Sequence, residues 1–281
     1  MRSEKEMMEL ILGVAEADER IRAVLMVGSR ADSDAPKDQY RDYDIGYYVH
    51  DVQPFWDNDA WLEERFGKAL IIQKPELMRG ADNDGHFTYL VIFEDGNRID
   101  LSFEFRPYID DGEPAVILLD KDNGFGAFLP PEIKVNEYFF AVKPPTELDY
   151  YSACNEFWWC LNNAAKGIAR DELPYVQAML NHYVRNELND MVGWYIGILT
   201  DFTVSAGKLG KYFKRYLPQE LYERYAATYS GGDYADIWRA IGVMCDLFRK
   251  LALKVAEHFG FEYRQNEENG MRAYLKMVRD K

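Results

Sequence analysis

The stretch IRAVLMVGSRADSDAPKDQYRDYDIGYYV, residues 21–49, decides the fold. Ile21–Val27 is a short apolar run with the length and pattern of a buried strand. It stops at Gly28-Ser29. A polar stretch from Arg30 to Arg41 then leads into Asp42–Val49, whose aromatic content suits a second strand. Side chains two apart on a strand share a face, so Asp42 and Asp44 aim at one spot. Two carboxylates a few Å apart repel each other, and a divalent cation is the usual reason to tolerate that. Gly28 lets a backbone approach a ligand closely, while Ser29 and the N–H groups after it could hold phosphate oxygens. The bland alternative is chance: an acidic chain produces Asp-x-Asp pairs, and Asp42 could simply cap a turn.

Around this stretch the first half reads as mixed α/β. Ser3 and Glu6 form a capping box ahead of Met7, Leu10, Ile11 and Val14 at helical spacing. Asp59–Phe66 predicts a short helix and Ala69–Gln73 a strand. His86–Phe93 and Arg98–Phe105 flank Glu94-Asp95-Gly96-Asn97, and Asp-Gly supplies the positive φ angles of a tight hairpin turn. Val116–Leu119 predicts one more strand. Gly124–Pro145 is rich in Gly and Pro, which places a boundary near Pro144-Pro145.

The second half predicts helices over Thr146–Arg170, Pro174–Leu199, Lys208–Leu217, Glu220–Tyr229 and Tyr234–Phe259, with a charged tail after Glu262 left unassigned. The expected class is α+β. A mixed β-sheet flanked by helices occupies residues 1–145, and a helical bundle occupies 146–281. A chain of 281 residues accords with two domains of about 100–200 residues each.

A third acid joins the first two. In Arg98–Phe105, Asp100 interrupts an apolar run, with Ile99 and Leu101 on the opposite face and Ser102 and Glu104 on its own. Asp42, Asp44 and Asp100 together could hold one or two Mg²⁺ ions and stabilise in-line displacement at phosphorus. Asp100 could instead take a proton from an attacking hydroxyl. Glu104 lies about 13 Å further along the strand, at roughly 3.3 Å per residue, so it suits an acceptor better than the same metal.

Charge narrows the partners. With 33 Lys+Arg against 48 Asp+Glu, the net charge is −15, which disfavours nucleic acid and favours cationic substrates. The odd count of cysteines, Cys154, Cys160 and Cys245, predicts reduced thiols rather than disulfides. The histidines are scattered, without zinc-ligand spacing. Glutamates near the N-terminus, and the lack of any run of about 18 apolar residues, predict a cytoplasmic protein with no membrane partner.

These residues resemble a known family. Gly28-Ser29, Asp42-x-Asp44 and Asp100 match the signature of the polymerase-β-like nucleotidyltransferase superfamily. More closely, GSR…DYDIGYYV, LIIQKPE, FEDGNRIDLSF, CNEFWW…KGIARDE and GKLGKYFKRYL look like the aminoglycoside 6-adenylyltransferases, which modify streptomycin. The resemblance runs from about Met1 to Lys254. It implies a catalytic N-terminal domain, a helical C-terminal domain and an active site between them. ATP and Mg²⁺ would bind there, and AMP would pass to an aminoglycoside hydroxyl with release of pyrophosphate. Asp42 and Asp44 would hold metal, and Asp100 would serve as metal ligand or base. The sequence departs from the family after Asp100, where Ser-Phe-Glu-Phe replaces a more aliphatic, Pro-terminated strand.

Further residues divide between functional and structural readings. Lys208 and Lys211 belong to a basic run that is either a solvated helix face or a counter-charge for a triphosphate. The resemblance favours nucleotide binding. Arg30 is a further phosphate candidate or a surface-loop residue, and Lys166 meets a phosphate or pairs with Glu172. Acceptor recognition calls for acids and aromatic faces. The candidates are Glu104, Glu156, Trp158 and Glu187, with Trp159, Asp190 and Trp194 behind them; their alternatives are helix core for the tryptophans and surface charge for the acids. The expected activity is Mg-dependent transfer of AMP from ATP to an aminoglycoside such as streptomycin, by a monomer or small homo-oligomer. Its rivals are the same chemistry on another small molecule or a protein, and a non-catalytic nucleotide-binding relative.

Overall fold

The computed structural model describes residues 1–32, 35–81, 84–105, 114–123 and 140–281. The chain divides into two compact units, Met1–Phe139 and Phe140–Lys281, just ahead of Pro144-Pro145. Most of the Gly- and Pro-rich break, residues 124–139, lies outside the described residues.

The first unit is built on a six-stranded mixed sheet. Its strands are β1 (Ile21–Val27), β2 (Tyr43–Val49), β3 (Ala69–Gln73), β4 (Phe87–Phe93), β5 (Arg98–Glu104) and β6 (Val116–Asp120). They lie in the order β3-β4-β5-β2-β1-β6. β2 and β5 run parallel; every other adjacent pair is antiparallel. Alternation sorts the two faces. Tyr43, Ile45, Tyr47 and Val49 of β2, with Ile99, Leu101 and Phe103 of β5, are buried in one core. Asp44 and Asp100 therefore fall on the other face.

That core is closed by α1 (Glu4–Ala17) and α2 (Asp59–Phe66). The Ser3/Glu6 capping box is formed, and Met7, Ile11, Val14 and Ala15 turn inward. Phe55 stacks on Phe103 with ring centroids 4.4 Å apart. The Tyr47 hydroxyl donates to the Ile11 carbonyl at 2.5 Å. Tyr47→Phe removes that bond without a cavity and should cost about 1 kcal/mol, read as a lower urea midpoint.

The second unit is helical: α3 (Glu147–Ala169), α4 (Leu173–Ala178), α5 (Arg185–Leu199), α6 (Phe213–Tyr216), α7 (Gln219–Ala226), α8 (Tyr234–Phe259) and α9 (Gln265–Arg279). A π turn at Met179–Val184 joins α4 to α5, so the helix expected over Pro174–Leu199 is helical throughout with one wide turn inside it. Phe157 stacks on Phe248 at 3.7 Å near the centre of the core.

One expectation is corrected, and one segment without an assigned element gains one. Lys208–Leu217 is not one helix: Gly207, Leu209 and Gly210 all have positive φ, which turns the chain before the single turn of α6. The charged tail after Glu262 does form a helix, α9. Its anchor is polar. Glu268 is 2% exposed and accepts from Arg249, Tyr263, Gln265 and Arg272. A buried carboxylate with that many donors holds a helix that carries little apolar surface.

The three cysteines are free and buried, and burial pushes each thiol up to about 12. No helix among the described residues is long and apolar enough to cross a membrane.

Candidate active site

The parallel pair β2–β5 brings the acids together. Asp44 of β2 stands in register with Asp100 of β5. Asp42 lies one residue before β2, on the same side of the chain as Asp44. β1 ends opposite them, since Val27 pairs with Asp44, and the chain then enters the Gly28–Arg30 turn. Gly28 has φ +69°, and a Cβ there would stand 3.0 Å from the Asp44 carboxyl carbon and closer still to one of its oxygens. Only a residue without a side chain lets this turn touch that carboxylate.

Arg98 ties the acids to one another. Its Nε and Nη2 donate to the two oxygens of Asp100 at 2.8 and 2.7 Å, and its Nη1 lies 3.1 Å from Asp42 Oδ2. The Asp100 hydrogen bond, followed by the charges of Asp42 and Asp44, raises the affinity of the guanidinium for its proton against the cost of desolvation. The same carboxylates make a negative potential at this point, which would favour any cation placed there. Among the described residues no ready-made cage of three acidic, His or Cys ligands exists. The guanidinium between Asp42 and Asp100 is a physical reason. Asp42, Asp44 and Asp100 come from adjoining strands, and their carboxylate oxygens are hard donors of the kind that Mg²⁺ takes.

Arg30 is committed elsewhere. Its side chain is 6% exposed, stacks on Tyr43 at 3.6 Å and donates to the carbonyls of Asp42 and Arg41, both at 2.9 Å. It shapes the loop that delivers Asp42. Ser29 sits in the same turn, its carbonyl accepting from Arg41 at 3.4 Å. Glu104 shares the Asp100 face, and burial raises its carboxyl above the ordinary range.

In the second unit, Lys208 and Lys211 are exposed, and among the described residues neither pairs with a carboxylate. Trp158 is corrected as a substrate contact. It is 2% exposed, set edge-on to Phe157 and Phe248 in the helical core, whereas Trp159 points outward at 63%. The phase of α3 fixes this: Cys154, Phe157, Trp158, Leu161 and Ala165 form the buried stripe, and position 159 falls off it.

Glu156 and Glu187 are brought into electrostatic contact from α3 and α5. Glu156 also accepts from the Cys160 thiol at 3.1 Å. Burial, then the charges of Asp190 and Glu156, push the Glu187 carboxyl up to about 7. The folded protein thus retains a proton that the unfolded chain releases above its ordinary 4.5, and stability falls as pH rises from 4.5 to 7. Glu187→Gln should abolish that fall. After allowance for partial exposure it is worth about 1.5 kcal/mol, or roughly 3–6 °C in Tm at pH 8 and none near pH 4. Scanning calorimetry at the two pH values checks it.

The family model for streptomycin adenylyltransferase matches residues 1–278. The chain belongs to that family. It is similar to the aminoglycoside 6-adenylyltransferase of Bacillus subtilis strain 168, 38% identical over 99% of this chain and 98% of that one. The enzyme of that name from Campylobacter jejuni is 37% identical over 94% and 91% of the two chains. A crystal structure of an aminoglycoside 6-adenyltransferase from Bacillus subtilis is 35% identical and covers 99% of both chains, with a TM-score of 0.49. Family membership rests on the sequence matches.

Within a streptomycin adenylyltransferase family member, Arg98 is the site residue that sequence reasoning passed over. Its signal was present: Arg98 and Asp100 are two apart on one strand and so share a face. What the sequence withheld was the β2–β5 register that brings Asp42 to the same guanidinium.

Proposed function

We propose that this protein transfers AMP from Mg-ATP to a hydroxyl of a cationic aminoglycoside such as streptomycin, releasing pyrophosphate. One observation carries the reading: Asp44 and Asp100 are in register, with Asp42 linked to Asp100 through one guanidinium and Gly28 pressed against Asp44. Carboxylates arranged around a cation are what phosphoryl transfer requires of a chain in this family.

Asp42, Asp44 and Asp100 would hold Mg²⁺, which when bound supplies charge neutralisation at the phosphates. With both its oxygens turned to a cation, Asp100 is assigned to the metal rather than to the acceptor proton. The Gly28–Arg30 turn offers backbone N–H groups to phosphate oxygens, and Arg30 keeps that turn and Asp42 in place. Lys208 and Lys211 supply exposed positive charge suited to a polyphosphate. Glu187, with Glu156, supplies negative charge suited to ammonium and guanidinium groups, as Glu104 does on the sheet face. Since Glu187 ionises near pH 7, acceptor KM should fall between pH 6 and 8, and Glu187→Gln should flatten that dependence.

The test is stoichiometric. Protein, Mg-ATP and streptomycin should yield one pyrophosphate per adenylylated antibiotic, and EDTA should stop the reaction. Pyrophosphate release with no member of an aminoglycoside panel, but with some other small molecule or a protein, would transfer the reading to that acceptor. Nucleotide binding without pyrophosphate for any acceptor would end it.

A further inference from the structure

We propose that Arg98 is an exchangeable occupant of the acidic site. Its guanidinium covers Asp42 and Asp100 before the cation arrives, and turns to the nucleotide's phosphates once displaced. The inference rests on the proposed reading of these acids as metal ligands.

The geometry is that of a stand-in cation. Arg98 uses the fork of its guanidinium on both oxygens of Asp100 and reaches Asp42 with its remaining nitrogen. Those are oxygens a divalent ion would require. A metal seated between Asp42 and Asp100 would need the position that the bridging guanidinium fills, and a doubly charged ion at shorter range wins on Coulomb energy. Without any cation, adjoining carboxylates would repel one another and splay. Arg98 relieves that repulsion and keeps the set assembled.

Arg98 is also able to leave. Its side chain is 41% exposed, while Asp100 is only 23% exposed, so the arginine is the mobile partner and the acid the fixed one. It springs from the first residue of β5, two residues before Asp100 and on the same face. A displaced guanidinium therefore stays within a side chain's length of the ion that displaced it. Phosphate oxygens brought by that ion match its planar fork, which a lysine would not reproduce.

The proposal requires two effects of opposite sign. Mn²⁺ alone is the first probe, titrated without nucleotide and followed by the EPR signal of the free ion. Arg98→Met keeps the side chain's bulk, removes the competitor and should bind Mn²⁺ about tenfold more tightly, as expected when a site blocked nine-tenths of the time is opened. The second probe is a non-hydrolysable ATP analogue with Mg²⁺, followed by calorimetry. The same variant should bind it about tenfold more weakly, having lost the phosphate contact. A merely structural role would not strengthen one affinity while weakening the other.

Arg98→Lys keeps the charge and loses the fork, so it should also tighten Mn²⁺, by less than Arg98→Met. If Arg98→Lys matches the wild type, the effect is through-space charge alone and the exchange is refuted. Unchanged or weaker Mn²⁺ binding by Arg98→Met refutes the covering role; undiminished analogue binding refutes the phosphate role. If neither the wild type nor Arg98→Met binds Mn²⁺, the metal reading of the three acids fails, and this inference fails with it. Near-wild-type circular dichroism melts check that both variants are folded.

Discussion

Replacing Asp42 and Asp44 together by asparagine should lower the rate of pyrophosphate release by about 10³–10⁴-fold. Each substitution keeps the shape of the side chain and removes one formal charge. A bound divalent ion contributes several kcal/mol to phosphoryl transfer, and each 1.36 kcal/mol is tenfold in rate. Stability should move far less. Asp42 is 35% exposed, and its 3.1 Å pair with Arg98 is the kind of partly solvated contact worth about 1 kcal/mol or less. Removing two neighbouring negative charges also relieves repulsion. The measurement is pyrophosphate release beside a thermal melt of the same preparation. A melt close to wild type with activity lost supports the assignment. Retained activity would mean that these acids hold no metal, and the proposed chemistry would have to be placed elsewhere in the chain.

Much of this was legible in the linear order, for local reasons. β1, β3 and α2 lie where the apolar runs end, because Gly28, Lys74 and Gly67 each break the pattern that precedes them. The β4–β5 hairpin follows from Asp95-Gly96, where Gly96 has φ +82°. The site acids follow from alternation: once Ile99, Leu101 and Phe103 are buried, Asp100 must face the other way. What was hidden is non-local or depends on phase. Arg98 acquires its meaning only from the parallel pairing of β2 with β5. Trp158 and Trp159 are adjacent, and the rotation of α3 alone decides which is core. In Gly207-Lys208-Leu209-Gly210 the apolar and basic spacing imitates a helix. Gly207 and Gly210 instead adopt positive φ with Tyr212 and Phe213 packed against them, where a Cβ would intrude at 2.8 and 2.6 Å. α9 was missed because its anchor, Glu268, is a residue that normally marks a surface.

Gly28→Ala is the sharper probe of how the site is held, since it adds one carbon and no charge. Two costs arise together. An alanine at φ +69° sits in the left-handed region, at about 1 kcal/mol, or roughly 3 °C in Tm. Its Cβ would also stand against the Asp44 carboxylate, which must rotate away, because the turn it meets is fixed by the Ala31 and Asp32 N–H groups bonding to the Gly28 carbonyl at 3.1 Å. Asp44 would then point off the line shared with Asp100. Misplacing a reacting group by about 1 Å commonly costs about 10²-fold, so kcat should fall by that factor while acceptor KM stays close to wild type. Mn²⁺ affinity should weaken in parallel, which separates a displaced ligand from a merely softened fold. A surface substitution of matched thermal cost, such as Leu70→Gly on exposed β3, should leave both untouched. If Gly28→Ala instead turns over at the wild-type rate, the contact between this turn and Asp44 has no part in positioning the carboxylate. The glycine would then serve only the bend that ends β1.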